Sequence, residues 1–148
     1  MYKASCLCGS IQLTINSDLS DFGYCHCRSC QKASGSAFGA NAGVERDAVI
    51  VQDSGNTLNE YESSPGKFRA FCSHCGSPIF AYISANPHLI RIRLGLLDTP
   101  FSKRCQAHSF VSEKASWETI TDAVPKFDNW ADPTVLVQVG SRQTLQHD

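Results

Sequence analysis

Apolar residues recur at every second position over several short stretches of this chain, which is the pattern of half-buried β-strands. The alternation is clearest in SIQLTINS at 10–17, where isoleucine and leucine alternate with polar residues. In HLIRIRLG at 88–95, the apolar side chains share one face of the predicted strand, and Arg91 and Arg93 share the other. Further candidate strands lie at 47–53, 59–63, 67–72, 77–84 and 107–112.

Helix signals are few. The stretch RSCQKAS at 28–34 predicts one or two helical turns, whereas prolines interrupt the irregular region that follows Trp117. The tail from Thr134 begins like a strand and then becomes polar, and we expect its last residues to be disordered. The pattern therefore predicts an all-β, mainly β fold, in which many short strands form a single domain over residues 1–148.

The composition is that of a globular protein. The chain has 148 residues, of which 42% are hydrophobic, and no apolar run approaches the ~20 residues that a membrane-spanning helix needs. The N-terminal stretch MYKASCLCGS lacks the basic and apolar regions of a signal peptide, so we expect a cytoplasmic protein. The formal net charge is −1, and the sequence contains no run of lysine or arginine. We therefore expect no nucleic-acid partner and no membrane partner.

The chain contains eight cysteines, and seven of them fall into three tight groups. These groups are CLCG with Cys6 and Cys8, CHCRSC with Cys25, Cys27 and Cys30, and CSHCG with Cys72 and Cys75. Disulfides are disfavoured, because no secretory signal is evident and Cys-x-Cys pairs are poorly placed to bridge each other. The spacing instead resembles that of metal ligands.

The simplest assignment of these thiols gives two metal sites. The pairs Cys6–Cys8 and Cys72–Cys75 together supply four sulfurs, which predicts a closed tetrahedral zinc site that ties the two segments together. The trio of Cys25, Cys27 and Cys30 cannot join either pair without making five ligands, so it predicts a second zinc. Loading both sites would bring the net charge of the chain to about −4.

The trio leaves the fourth position of its zinc undecided. An open position is typical of catalytic zinc, whereas a closed site would need a further protein ligand such as Cys105, His26, His74 or His108. Three thiolates overcompensate the charge of the ion, which makes it a weak Lewis acid and favours a soft thiol as the fourth ligand. A bound thiol would lose its proton and become a nucleophile at neutral pH.

The motifs also carry a family resemblance. In order along the chain, SCLCGSIQLTI, YCHCRSCQKASGSAF, FCSHCGSPIF and HSFVSEKASW followed by DAVPKF resemble the glutathione-dependent formaldehyde-activating enzyme family, which shares its domain with centromere protein V. The resemblance runs from residue 5 to about residue 128. The fold that it implies is a compact, zinc-stapled, tent-like domain of short antiparallel strands.

The resemblance implies roles for all seven grouped cysteines. It implies that Cys6, Cys8, Cys72 and Cys75 hold a structural zinc, and that the catalytic residues Cys25, Cys27 and Cys30 hold a second one. The family reaction joins glutathione and formaldehyde to S-(hydroxymethyl)glutathione and is classed as that of a carbon–sulfur lyase. The expected partners are therefore a glutathione-like thiol and a small aldehyde.

Two other functions stay open: a zinc enzyme that acts on another sulfur compound, and a non-catalytic zinc module for protein or chromatin interaction.

The remaining side chains have alternative interpretations. His26 lies between two ligands and should point away from the metal in an extended segment, where it could orient a ligand or carry a proton. Lys32, Arg91 and Arg93 could meet a carboxylate or lie on a solvated surface. We expect Trp117 in the core.

Overall fold

The computed structural model describes residues 1–136, and this part of the chain is mostly β. It contains ten strands, one α-helix and three short 3-10 helices. The strands are β1 (Tyr2–Ser5), β2 (Ile11–Ile15), β3 (Phe22–Cys25), β4 (Gly39–Glu45), β5 (Val49–Asp53), β6 (Leu58–Ser64), β7 (Lys67–Cys72), β8 (Pro78–Ile83), β9 (Asn86–Arg93) and β10 (His108–Ser109). The helix α1 spans Arg28–Ser34, and the 3-10 helices span Arg46–Ala48, Leu94–Leu96 and Val111–Glu113.

The strands form two sheets. The smaller sheet has the order β1-β2-β5, and the larger sheet has the order β10-β3-β4-β9-β8-β7-β6. Strand β10 pairs with β3 in parallel, whereas the other pairs of described strands are antiparallel. The short β10 therefore brings the segment around residue 108 against the strand that ends at Cys25.

The core lies where the inward faces of the two sheets meet. Ile11, Leu13 and Ile15 of β2 are fully buried, as their alternation with polar residues predicts. From the larger sheet, Ile90 and Ile92 join the same apolar cluster, and burial of each such side chain contributes about 1.5–3 kcal/mol. Arg91 and Arg93 therefore lie on the opposite face of β9.

The predicted mostly β fold is confirmed, and the predicted helix at 28–34 has the observed bounds. Strands β1, β3 and β4 were not predicted, because stretches such as GANAGVE at 39–45 are rich in glycine and alanine and carry no alternation. The predicted strand at 107–112 shrinks to the two residues of β10. That residues 1–148 form one domain stays a prediction.

The end of the chain differs from expectation in two places. Trp117 is 70% exposed and does not lie in the core, because it follows the last regular element and no described strand or helix turns it inward. The strand predicted from Thr134 is a turn as far as Leu136, and its continuation, together with the expected disorder of the tail, lies outside the described residues. None of the described helices is long and apolar enough to cross a membrane.

Candidate metal centres

Four cysteines converge where the turn between β1 and β2 meets the turn between β7 and β8. The Sγ atoms of Cys6, Cys8, Cys72 and Cys75 all lie within 4.8 Å of one another. The Sγ atom of Cys8 is 3.6 Å from that of Cys6 and 3.8 Å from that of Cys72. Tetrahedral coordination with zinc–sulfur bonds of about 2.3 Å requires sulfur separations of about 3.8 Å. These two separations match those of a tetrahedral site, and the four thiols could hold one ion.

Two glycines shape the turns that carry these thiols. Gly9 and Gly76 follow a cysteine in each turn and have φ angles of 79° and 78°, in the left-handed region that favours glycine. Each turn closes with a backbone hydrogen bond, from Gly9 N to Cys6 O at 2.9 Å and from Gly76 N to Cys72 O at 2.7 Å. The two segments thus present their sulfurs in similar ways.

Nearby hydroxyl and amide groups stabilise the thiolate forms of two cysteines in this group, Cys72 and Cys75. The side chain and the backbone N–H of Ser77 lower the pKa of Cys75 to about 5. Burial raises the pKa of Cys72, but the backbone N–H of Cys75 and the hydroxyl of Thr57 outweigh it and bring that pKa to about 7. Thiolates bind metal ions, so the surroundings of Cys72 and Cys75 favour the form that a ligand needs, whereas the pKa of Cys8 is raised.

A second group of thiols forms where β3 meets α1. The Sγ atoms of Cys25, Cys27 and Cys30 all lie within 4.8 Å of one another. Cys25 ends β3, Cys27 is the N-cap of α1, and the Cys27 sulfur accepts a hydrogen bond from the N–H of Cys30 at 3.3 Å. A Cβ atom at Gly39 would lie only 3.3 Å from the Cβ atom of Cys30, so a glycine lets α1 lie close to the sheet.

The three thiols share their protons unequally. Hydrogen bonds with Cys27 and Cys30, together with burial, raise the pKa of Cys25. Hydrogen bonds with Cys25 and Cys27 lower the pKa of Cys30 far below that of a free thiol, and the positive charges of Arg69 and Arg93 lower it further. These directions favour the thiolate form at Cys30 over that at Cys25.

The structure brings none of the four predicted fourth ligands into the trio. Among residues 1–136, the cluster contains only the three cysteines. His74 is exposed in the other turn, and the Cys105 sulfur lies 3.3 Å from the carbonyl oxygen of Ala107. His26 and His108 are instead hydrogen-bonded to each other. All eight cysteines are free thiols.

His26 and His108 belong to a buried hydrogen-bonded chain. His26 points away from the trio, as expected for a residue between two ligands, and its Nε2 atom lies 2.9 Å from Nδ1 of His108. The Nε2 atom of His108 lies 3.0 Å from the carboxylate of Asp122. His26 is completely buried, and its Nδ1 atom has no hydrogen-bond partner among the described residues. This series of hydrogen bonds runs from His26, in the segment that carries the trio, to Asp122 at the surface.

Gln31 fixes the trio from the other side. Its side-chain amide donates to the carbonyl oxygen of His26 at 2.7 Å and to that of Glu113 at 2.9 Å, and its carbonyl oxygen accepts from Arg28. The side chain is buried, so these contacts bind α1 to the strand end and to the last 3-10 helix. They hold the backbone on either side of Cys27.

Sequence reasoning missed part of this arrangement. Asp122 lies 14 positions from its partner His108, and no local pattern connects the two. Gln31 directly follows the trio in the sequence, but its contact with Glu113, 82 positions away, could not be read from the sequence. Arg69 was not singled out, although it lies in a predicted strand, KFRAFC. The available signal was the spacing of Arg69 and Phe71, which lie two residues apart and therefore share one face of the predicted strand.

Several known proteins are similar in sequence. The chain is 29% identical over 118 residues to a protein of Penicillium rubens named a putative glutathione-dependent formaldehyde-activating enzyme, and it covers 56% of that protein. It is 26% identical to a protein of the same name from Halomonas elongata, with 81% of each chain covered. An uncharacterized lyase of Schizosaccharomyces pombe is 31% identical over 60% of this chain and 64% of that protein. The chain thus spans only about half the length of the Penicillium relative.

A solved structure shares the fold. The crystal structure of a Rhodobacter sphaeroides protein superposes with a TM-score of 0.56 at 19% sequence identity, covering 68% of this chain and 91% of that one. The profile of the family described as glutathione-dependent formaldehyde-activating enzyme matches residues 1–113, which include both cysteine groups. This chain therefore belongs to the glutathione-dependent formaldehyde-activating enzyme family.

Proposed function

We propose that the protein is a zinc-dependent enzyme of the carbon–sulfur lyase type, which joins glutathione or a similar thiol to formaldehyde or a related small aldehyde. Family membership and the names of the relatives support this activity at the level of the family. The observation that carries the proposal for this chain is the group of three thiols, to which residues 1–136 bring no fourth cysteine, histidine or carboxylate ligand.

The two cysteine groups would have different tasks. Cys6, Cys8, Cys72 and Cys75 would hold a structural zinc, because four sulfurs complete a tetrahedron and join the two sheets. Cys25, Cys27 and Cys30 would hold the second zinc with a position left for a substrate. That ion, when bound, would keep a substrate thiol in its thiolate form at neutral pH and so make the sulfur nucleophilic.

The protein around the trio keeps this arrangement rigid. Cys27 caps α1, and Gln31 links the helix to the carbonyl oxygen of His26, so the backbone that carries the ligands is restrained on both sides. His108 holds the His26 ring through Nε2, on the side away from the trio. A site held in this way orients its ligands before the substrate arrives, which lowers the cost of reaching the reactive geometry.

Metal analysis combined with X-ray absorption tests the proposal. We expect about two zinc ions per freshly reduced chain, and an increase in mean sulfur coordination when glutathione is added. Formation of S-(hydroxymethyl)glutathione should accelerate in proportion to the zinc-loaded protein. About one zinc per chain, with sulfur coordination that does not respond to glutathione, would contradict it and favour a non-catalytic zinc module. Binding of glutathione without turnover of aldehydes would favour another sulfur compound as the substrate.

A further inference from the structure

The outward face of the larger sheet carries a row of polar residues that begins at the trio. In the pairing of β4 with β9, Ala42 lies opposite Ile92, and both side chains are buried in the core. Because side chains alternate along a strand, the neighbouring pair Asn41 and Arg93 points to the other face. Cys25 lies on this face as well, since it is three residues from Phe22, whose side chain packs in the core.

Arg93 lies close to the trio in this arrangement. Strand spacings place the Cα atoms of Cys25 and Arg93 about 12 Å apart across β4, and the long arginine side chain reaches over part of that distance. A thiol whose sulfur binds at the trio and which extends along the sheet toward β9 would meet Arg93.

A second arginine lies on the same face. Arg69 of β7 is opposite Ala81 of β8, which in turn is opposite Arg91 of β9, one row from Arg93. Ala81 is small and buried, so long side chains from both neighbouring strands can lie across it. Burial and, next, the positive charge of Arg69 lower the pKa of Arg93 to about 10, so Arg93 stays charged at neutral pH. Arg69 and Arg93 thus place two positive charges on the sheet face that carries Cys25.

Arg93 has hydrogen-bonding capacity that the described protein leaves unused. One terminal nitrogen, Nη1, donates to the side-chain oxygen of Asn41, which fixes the orientation of the guanidinium plane. The Nε and Nη2 atoms are buried and have no hydrogen-bond partner among the described residues. These two nitrogens form one edge of the guanidinium and match the two oxygens of a carboxylate. Attraction to the Cys30 thiolate through space would leave both donors unsatisfied.

We propose that Arg93, oriented by Asn41 and assisted by Arg69, binds a carboxylate of the thiol substrate while the sulfur of that substrate lies at Cys25, Cys27 and Cys30. The inference rests on the proposed function and narrows its substrate class to thiols that carry a carboxylate several bonds from the sulfur. Neutral small thiols would lack this contact. Glutathione, which has two carboxylates, has the required chemistry.

Binding of S-methylglutathione to the zinc-loaded protein tests the proposal by calorimetry. This probe keeps both carboxylates but has no free thiol, so its binding does not depend on thiol activation or on turnover. We expect Arg93→Gln to weaken its binding by about tenfold or more, and Arg69→Gln to weaken it less, because each substitution removes a charge-assisted contact. The matched control is Arg104→Gln, in an exposed arginine before β10, which should bind the probe like the wild type.

The diethyl ester of the same probe provides an arm that needs no variant. It should bind the wild type about tenfold more weakly than the free acid, and it should bind Arg93→Gln and the wild type equally. Equal binding of acid and ester to the wild type, undetectable binding of the acid, or unchanged binding in Arg93→Gln would overturn the proposal. Loss of zinc from Arg93→Gln would also overturn it, because the arginine would then act on the thiolates. Failure of the proposed function would show separately: the protein would bind S-methylglutathione but would not turn over glutathione and formaldehyde.

Discussion

The imidazole rings of His26 and His108 are joined by a 2.9 Å hydrogen bond between Nε2 and Nδ1, although the residues are 82 positions apart in the chain. His26 lies between two ligands of the predicted catalytic metal, and His108 lies in the strand that pairs with β3. The contact therefore ties the backbone of the trio to a segment that reaches the surface at Asp122. Its burial predicts how the stability of the fold depends on pH.

Acid should destabilise the folded state through this pair. Burial, followed by the charge of His108, lowers the pKa of His26 below the ordinary value of 6.5. The unfolded chain therefore binds a proton that the folded chain does not, so the stabilising contribution is complete above pH 6.5 and declines as the pH falls from there toward the folded pKa. Nuclear magnetic resonance of the imidazole carbons should show His26 titrating at lower pH in the folded protein than in urea. Titration at the same pH in both states would contradict this.

Replacing Cys8 by serine should remove the metal that joins the two sheets. Cys8 is exposed, so the substitution creates no cavity in the core. We expect about one zinc per chain where the wild type holds about two, and a lower melting temperature that a chelator no longer changes much. Elemental analysis and thermal unfolding measure both. Cys105→Ser, at a cysteine outside both groups, should keep the full zinc content, and an equal loss of zinc in this control would sink the assignment.

Replacing Cys27 by serine should separate metal binding from helix capping. Serine is a preferred N-cap residue, so α1 should keep its start at Arg28 while the trio loses one thiolate. Turnover should fall more than about tenfold, with the circular dichroism spectrum and the zinc of the four-cysteine group retained. Steady-state kinetics and zinc analysis on the same sample provide the readouts. Full turnover in this variant would exclude a catalytic role for the trio.

Replacing Gly23 by alanine should disturb the pairing of β10 with β3. A Cβ atom at this position would lie 2.5 Å from the carbonyl oxygen of Ala107, which accepts a hydrogen bond from the N–H of Tyr24. The backbone of one strand must shift, and we expect a loss of about 1–3 kcal/mol in the free energy of unfolding. Urea denaturation measures it. Gly95→Ala is a suitable control, because a Cβ atom there meets nothing within 4 Å, and an equal loss in both variants would contradict the steric explanation.

The sequence predicted those features that depend on local patterns. The alternation in 10–17 and 88–95 predicted β2 and β9, and the cysteine spacing predicted the groups whose sulfurs the structure brings together. Strand β4 carries no alternation, because small residues line both of its faces, so it could not be found in this way. The metal-binding and catalytic roles of the cysteine groups remain predictions.

The rest of the candidate site depends on contacts between distant segments. The position of Asp122 beside His108 follows from how the irregular segment after β10 folds back. His108 N–H donates to the carbonyl oxygen of Pro125, and Phe127 N–H donates to that of His108. Arg69 and Arg93 share a face because β8 pairs with both β7 and β9 in the observed registers. A single sequence does not specify such pairings, since many strand orders satisfy the same alternation.

Strand β9 assigns alternate residues to different surroundings, with Ile90 and Ile92 in the core and Arg91 and Arg93 on the outward face. If Arg93 binds the substrate as proposed, mutations that alter substrate preference and mutations that weaken the fold fall at different positions of one strand. Natural selection can exchange the outward residues while the inward ones stay fixed. A protein of the same fold, such as that of Rhodobacter sphaeroides at 19% identity, can thus keep such a sheet although most of its residues differ.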